Sequence, residues 1–137
     1  MGAEYLCKAC RGHLQVKSSI VLSAQKKGST ERGLVLLDAE LGNYTKTTHP
    51  DFHIHEGAEY IYTCPICHSL LNSAKYEHLV RIIMVDKDKK EYDIYFSEIA
   101  GEKCTYKLGE GEIEAKGSDS QLYDKYFDIP EEDRKYL

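Results

Sequence analysis

The chain of 137 residues contains no tryptophan and no long apolar run. Its longest apolar stretches are short, such as Ile82-Ile83-Met84-Val85, so no segment has the roughly 20 residues a membrane-spanning helix needs. Residues 1–20 lack the charged-then-apolar pattern of a secretory signal. Leu6 stands where a myristoylation signal after Gly2 wants serine or threonine. The expectation is a cytoplasmic protein with no membrane association. Positive charge is not in excess either, with 18 Lys and Arg against 23 Asp and Glu. The net charge is −5, which argues against a nucleic-acid binder that relies on a basic face. Sequence patterns for several enzyme classes are missing as well: GxSxG, the P-loop, GxGxxG and HExxH do not occur. No serine or aspartate is grouped with a histidine in a way that reads as a triad. There is no low-complexity tract and no evident linker, so the expectation is one domain over residues 1–137.

What the chain does have is cysteine in pairs. Cys7-Lys8-Ala9-Cys10 and Cys64-Pro65-Ile66-Cys67 are two CxxC motifs. Four thiolates complete a tetrahedral set around one Zn²⁺ and leave no position open for water, as in structural rather than catalytic sites. A reducing compartment favours metal binding over disulfides for such pairs. A tight turn within each pair lets backbone N–H groups point at the sulfurs. Pro65 presets part of one turn and Gly12 relaxes the backbone after the other. The ligand set read from the sequence is therefore Cys7, Cys10, Cys64 and Cys67, holding one structural Zn²⁺. Iron in a rubredoxin-like site uses the same four thiolates and stays open as an alternative. So do redox-active CxxC motifs, although these belong at a helix start within a βαβ pattern that the sequence does not display. His13 and His68 follow the two pairs closely and read as neighbours of a set that is already complete.

With flanking Tyr5, Leu14, Tyr62 and Leu70, the two pairs resemble the knuckles of the zinc-ribbon class. The resemblance covers about a fifth of the chain. In a compact ribbon the pairs lie roughly 15–20 residues apart, whereas 53 residues separate Cys10 from Cys64 here. Residues 15–60 then form an insertion or an added β layer between the knuckles.

The remaining pattern predicts a mainly β, small α+β protein: antiparallel sheets or a meander, two knuckles (5–14 and 60–71) joined by a long β insertion, and a short C-terminal helix. Val16, Ser18, Ile20, Leu22 and Ala24 share one strand face. Gln25 to Gly33 reads as a hairpin loop, and Leu34 to Leu37 as a more fully buried return strand. Leu41 to Tyr44 carries a turn signal, and residues 45–56 read as an irregular connection. Tyr60-Ile61-Tyr62 leads into the second pair, and residues 70–79 read as a short helical turn. Leu79 to Val85 and Tyr92 to Phe96 flank the charged tip Asp86-Lys87-Asp88-Lys89-Lys90, the clearest hairpin in the chain. Cys104 to Leu108 is a third strand of this β-hairpin region (79–108), and Gly109, Gly111 and Gly117 mark loop. Leu122, Tyr123, Tyr126 and Phe127 are spaced for one face of a helix in the tail, 119–137. Gly2-Ala3-Glu4-Tyr5 is echoed as Gly57-Ala58-Glu59-Tyr60 ahead of the second pair.

Four further features invite a functional reading. His49, Asp51, His53 and His55 could bind a second metal or perform acid–base work, but they also suit a polar loop. Cys104 stands alone and reads as a small buried hydrophobe. Eleven tyrosines suit sheet packing with the hydroxyl in water, or a binding surface. Residues 1–33 carry six basic and two acidic side chains, a net +4 that leaves −9 for the rest and allows a local nucleic-acid contact. The function expected is a non-enzymatic zinc-binding protein whose structural site holds a β-rich surface for a protein or ribonucleoprotein partner, with no catalytic residue assigned. The alternative is a thiol-redox or metal-dependent enzyme using the CxxC pairs or the His49–His55 cluster.

Overall fold

A computed structural model describes residues 3–40, 43–109 and 112–119. It contains ten strands and no helix among the described residues. They are β1 (Glu4–Leu6), β2 (Gln15–Val16), β3 (Ser19–Lys26), β4 (Arg32–Asp38), β5 (Lys46–Thr48), β6 (Tyr60–Thr63), β7 (Leu79–Val85), β8 (Glu91–Ser97), β9 (Thr105–Gly109) and β10 (Glu112–Lys116). One antiparallel sheet runs β1-β7-β8-β9-β10. The other runs β6-β3-β4-β5, with β2 paired to the start of β3 beside β6. The mainly β, antiparallel reading is correct, and β7 to β10 form a meander. The expected helix in the tail lies outside the described residues.

The two sheets are two copies of one strand plan. Tyr5 O accepts the Leu14 N–H at 2.8 Å, and Tyr62 O accepts the Leu71 N–H at 2.8 Å. The bridge Leu6 to His13 repeats as Thr63 to Leu70. Each of these residues lies 57 positions before its counterpart. The hairpins match in the same way. Leu22 opposite Val35 becomes Ile82 opposite Ile94, and Leu36 opposite Thr47 becomes Tyr95 opposite Tyr106. The leading strands are exchanged between the copies. β6 of the second copy pairs with β3 (Ala24 to Tyr62), and β1 of the first pairs with β7 (Tyr5 to Met84). The 15–60 stretch is therefore the β layer of the first copy, with β10 as an addition to the second.

Burial follows from this arrangement. Ile20, Leu22, Ala24 and Val35 from one sheet meet Val80, Ile82, Met84, Tyr92 and Ile94 from the other, with Cys7 and Cys64 in the same core. Side chains alternate across a strand, so Leu79, Tyr95 and Tyr106 face the opposite side of the β7-β8-β9 sheet, with Cys104 and Ala115. Complete burial stabilises each such Leu or Ile by about 1.5–3 kcal/mol.

Several sequence expectations need correction. The first strand is broken, because Lys17 takes a positive φ of 56° and the Lys17-Ser18 turn folds β2 back on β3. Val16 is consequently 60% exposed instead of sharing the Ile20 face. β4 is less buried than four consecutive apolar residues imply. Only Val35 is fully enclosed, and Leu34 points outward, because the strand has one core face. Residues 45–56 contain β5, and the glycine-marked loop contains β10; both are short strands recruited by an existing edge. Residues 70–79 are not helical: Asn72 bridges Val80, and Ser73 Oγ accepts the Lys75 and Tyr76 N–H groups in a turn. The tyrosines lie deeper than expected, with Tyr60, Tyr62 and Tyr106 fully buried.

Gly117 follows β10, at the end of the last hairpin away from its turn, with φ of +101°, where a Cβ would overlap the Lys103 carbonyl. That close approach accompanies the Asp119 N–H to Lys103 O bond of 2.9 Å. Gly117→Ala should cost about 1–3 kcal/mol from backbone strain, more with the overlap, as a lowered urea midpoint; an unchanged midpoint would refute the strain.

Candidate metal centre

Each CxxC sits in a strand–turn–strand knuckle built by the same hydrogen bonds. Cys7 N–H donates to Gly12 O (3.0 Å) and Arg11 N–H to Cys7 O (2.9 Å); Cys64 N–H donates to Ser69 O (3.0 Å) and His68 N–H to Cys64 O (2.9 Å). The turn closes through a left-handed residue in each copy, Arg11 at φ 58° and His68 at φ 66°. Gly12 has an ordinary φ; what limits it is space, because a Cβ there would sit 2.7 Å from Ile66 Cδ1 and 3.2 Å from Cys10 Sγ. The true counterpart of Tyr5 is Tyr62. The Gly-Ala-Glu-Tyr echo, which would equate it with Tyr60, is therefore out of structural register by two residues.

The knuckles face one another, and the four sulfurs converge to within 4.8 Å of each other. Cys7 Sγ lies 3.8 Å from Cys67 Sγ, and Cys10 Sγ lies 3.9 Å from Cys64 Sγ. These distances are far beyond an S–S bond, and all five cysteines are free. A regular tetrahedron with metal–sulfur bonds of about 2.3 Å has edges of about 3.8 Å, so the set could hold a metal ion. Backbone N–H groups supply the outer layer. Ala9 and Cys10 donate to Cys7 Sγ (3.3 and 3.5 Å), Ile66 and Cys67 to Cys64 Sγ (3.3 and 3.5 Å), and Gly12 to Cys10 Sγ (3.3 Å). Donors aimed at sulfur favour the thiolate form that a metal requires.

The bare thiols are unequal. The Ser69 hydroxyl, 3.3 Å from Cys67 Sγ, draws that thiol down to about 6. At Cys10 the Gly12 N–H pulls downward, but burial and the other sulfurs outweigh it and push the thiol up to about 11. Burial also raises Cys64. Lys8 supplies a nearby cation whose own pKa is lowered by burial and by Arg81.

The other sequence candidates are not drawn together. His53 and His55 are exposed, His49 Nδ1 accepts the Asp51 N–H at 3.0 Å, and His55 pairs loosely with Glu31 at 4.0 Å. None of them belongs to either group of convergent ligand atoms among the described residues, nor do His13 and His68. Cys104 is fully buried, and that burial pushes its thiol up to about 12. An alkylating agent at neutral pH should leave Cys104 unmodified in the folded protein; labelling as fast as in denaturant would contradict its placement. Sequence reading missed a second convergent group, Glu59, His78 and Glu98. One signal was available: Glu98 is in phase with the core-facing Ile94 and Phe96 of β8.

The four clustered cysteines are consistent with a zinc-ribbon-like site. Comparison with family models, curated proteins and solved structures finds no match to the chain. Among the described residues no helix is long and apolar enough to cross a membrane.

Proposed function

We infer that the protein is a non-enzymatic module in which one structural Zn²⁺, bound by Cys7, Cys10, Cys64 and Cys67, clamps two β repeats and presents their surface to a cytoplasmic protein or ribonucleoprotein partner. The observation that carries this reading is the closed four-sulfur set with tetrahedral spacing. Four thiolates leave no coordination position for a substrate or a reactive water. Each repeat supplies one CxxC, so the ion ties the repeats together. Ile66 and Leu70 on the second knuckle are each more than half exposed and offer apolar contact beside the metal. They favour a protein partner over nucleic acid, as does the net charge of −5.

Affinity capture of the zinc-loaded chain from a native extract, with and without nuclease, tests the partner class. Partners retained after nuclease support the protein branch; loss of every partner would move the reading to nucleic acid. A thiol-redox role would use the same paired thiols, with the Ser69 hydroxyl 3.3 Å from Cys67 Sγ as a local partner. Against it, both pairs lie between strands, whereas thioredoxin-like redox CxxC motifs open a helix. Elemental analysis and alkylation separate the two. The structural reading expects one zinc per chain and four thiols that react only after chelation. Metal-free protein with a reversible disulfide in either pair would replace it with the redox reading.

A further inference from the structure

The two repeats provide an internal control on which residues the fold itself needs. Glu98 and Ala39 occupy corresponding positions, as do His78 and Ser18. The Glu98 N–H donates to His78 O at 2.9 Å, and the Ala39 N–H donates to Ser18 O at 2.9 Å. The same backbone bond is therefore made with small side chains in one copy and ionisable ones in the other. Glu98 is 3% exposed. Burying a carboxylate is costly even when it is paired, and the first copy shows that the backbone closes without one. The side chains of the second copy need a reason beyond architecture.

Their geometry supplies one. His78 Nδ1 lies 3.0 Å from Glu98 Oε1 and 3.4 Å from Glu59 Oε1. One ligand atom from each of the three residues falls within 4.8 Å of the others. Glu59 precedes β6, His78 precedes β7 and Glu98 follows β8, so three separate segments converge. Glu98 is also oriented from behind. Asn72 Nδ2 donates to its Oε2 and to Tyr60 O (3.1 Å), while Asn72 Oδ1 accepts the Tyr62 N–H at 2.7 Å. Asn72 is thus fixed by the β6 backbone, an arrangement that typically positions a ligating carboxylate. A cation already sits against the acids: Lys27 Nζ is 3.1 Å from Glu98 Oε1 and 3.6 Å from Glu59 Oε2. Lys27 is well exposed on a flexible stem and can swing out to solvent.

The geometry points to a second, exchangeable metal site formed by Glu59, His78 and Glu98, with Lys27 as the resident counter-ion that the metal displaces. One imidazole and two carboxylates suit a zinc- or nickel-class divalent ion. Three protein ligands leave further coordination positions to water, unlike the closed thiolate set. The site is independent of the proposed partner-binding role and is separate from the four cysteines.

Protein carrying one zinc per chain is titrated with Zn²⁺ by calorimetry. A second equivalent is expected to bind the parent protein. Lys27→Met, which removes the competing charge, should bind it at least about tenfold more tightly. Glu98→Gln and His78→Ala should lose the second equivalent while keeping the first, with Glu98→Gln retaining volume and most hydrogen bonds so that folding is preserved. His53→Ala/His55→Ala, which alters the exposed loop histidines, should bind like the parent. The inference is overturned if neither the parent nor Lys27→Met takes up a second ion at millimolar zinc. It is equally overturned if Glu98→Gln still binds it, or if only the His53→Ala/His55→Ala protein loses it.

Discussion

Cys64→Ser should abolish cooperative unfolding, and chelation of the native protein should do the same. Apparent binding of a structural zinc contributes on the order of 10–16 kcal/mol at neutral pH, while a whole domain is stable by about 5–15 kcal/mol. Removing one thiolate is thus expected to take most of the margin. Cys64 is 0% exposed, so serine would also place an unpaired hydroxyl in the core that Cys64 shares with Leu71 and Tyr62. Because the ligands come in one pair from each repeat, both sheets should be lost in a single transition rather than one after the other. The measurement is thermal melting by circular dichroism alongside zinc content, for the parent, Cys64→Ser and Cys7→Ser. A substituted protein that lacks zinc yet melts at the parent temperature would refute the staple role.

The four-cysteine cluster was legible in the sequence because its geometry is written in spacing. A CxxC needs only a local turn, and the order Tyr, Cys, Cys, Leu surrounds both pairs. The 79–97 hairpin was legible for a similar reason: its apolar strands flank a charged tip, and Asp86 Oδ1 accepts the Asp88 and Lys90 N–H groups to close it. The repeat was not legible. Its two copies are offset by 57 residues at the knuckles but by 60 at the first hairpin strand and 59 at the next two, because the intervening turns differ in length. Core volume is also redistributed. Where the second copy has Tyr92, the first has Gly33, and the ring of Phe52 lies 2.9 Å from where its Cβ would be. A side chain from a different segment fills the same space, so letter-by-letter comparison loses the match. The exact Gly-Ala-Glu-Tyr echo, by contrast, is out of register. The Glu59–His78–Glu98 group was hidden because it joins residues distant in sequence, whereas the 49–55 histidines drew notice only by being adjacent.

Tyr62→Ala should produce the largest loss of stability of any substitution that leaves the four cysteines intact. Tyr62 belongs to the exchanged strand β6, is 1% exposed, and packs edge-on against Phe96 of the other sheet with ring centroids 5.5 Å apart. Its backbone pairs with Ala24 on one side while its N–H is held by Asn72, so the backbone around the cavity is fixed and cannot collapse into it. Truncation of a buried aromatic under such conditions costs about 3–5 kcal/mol, a fall in melting temperature of roughly 10–20 °C for a protein of this size. Tyr62→Phe separates packing from the hydroxyl. Burial pushes the Tyr62 phenol far above its ordinary pKa, so the hydroxyl stays neutral and its loss should be felt much less than loss of the ring. Val16→Ala provides the surface comparison. That side chain is 60% exposed on β2, and its removal should change stability by no more than about 0.5 kcal/mol. If Tyr62→Ala and Val16→Ala melted alike, the exchanged strand would not be part of the core that joins the repeats. The β1–β7 pairing and the metal would then be left to tie them. The expected order, Tyr62→Ala far below Tyr62→Phe and Val16→Ala, requires instead that strand exchange and metal clamp act on the same interface.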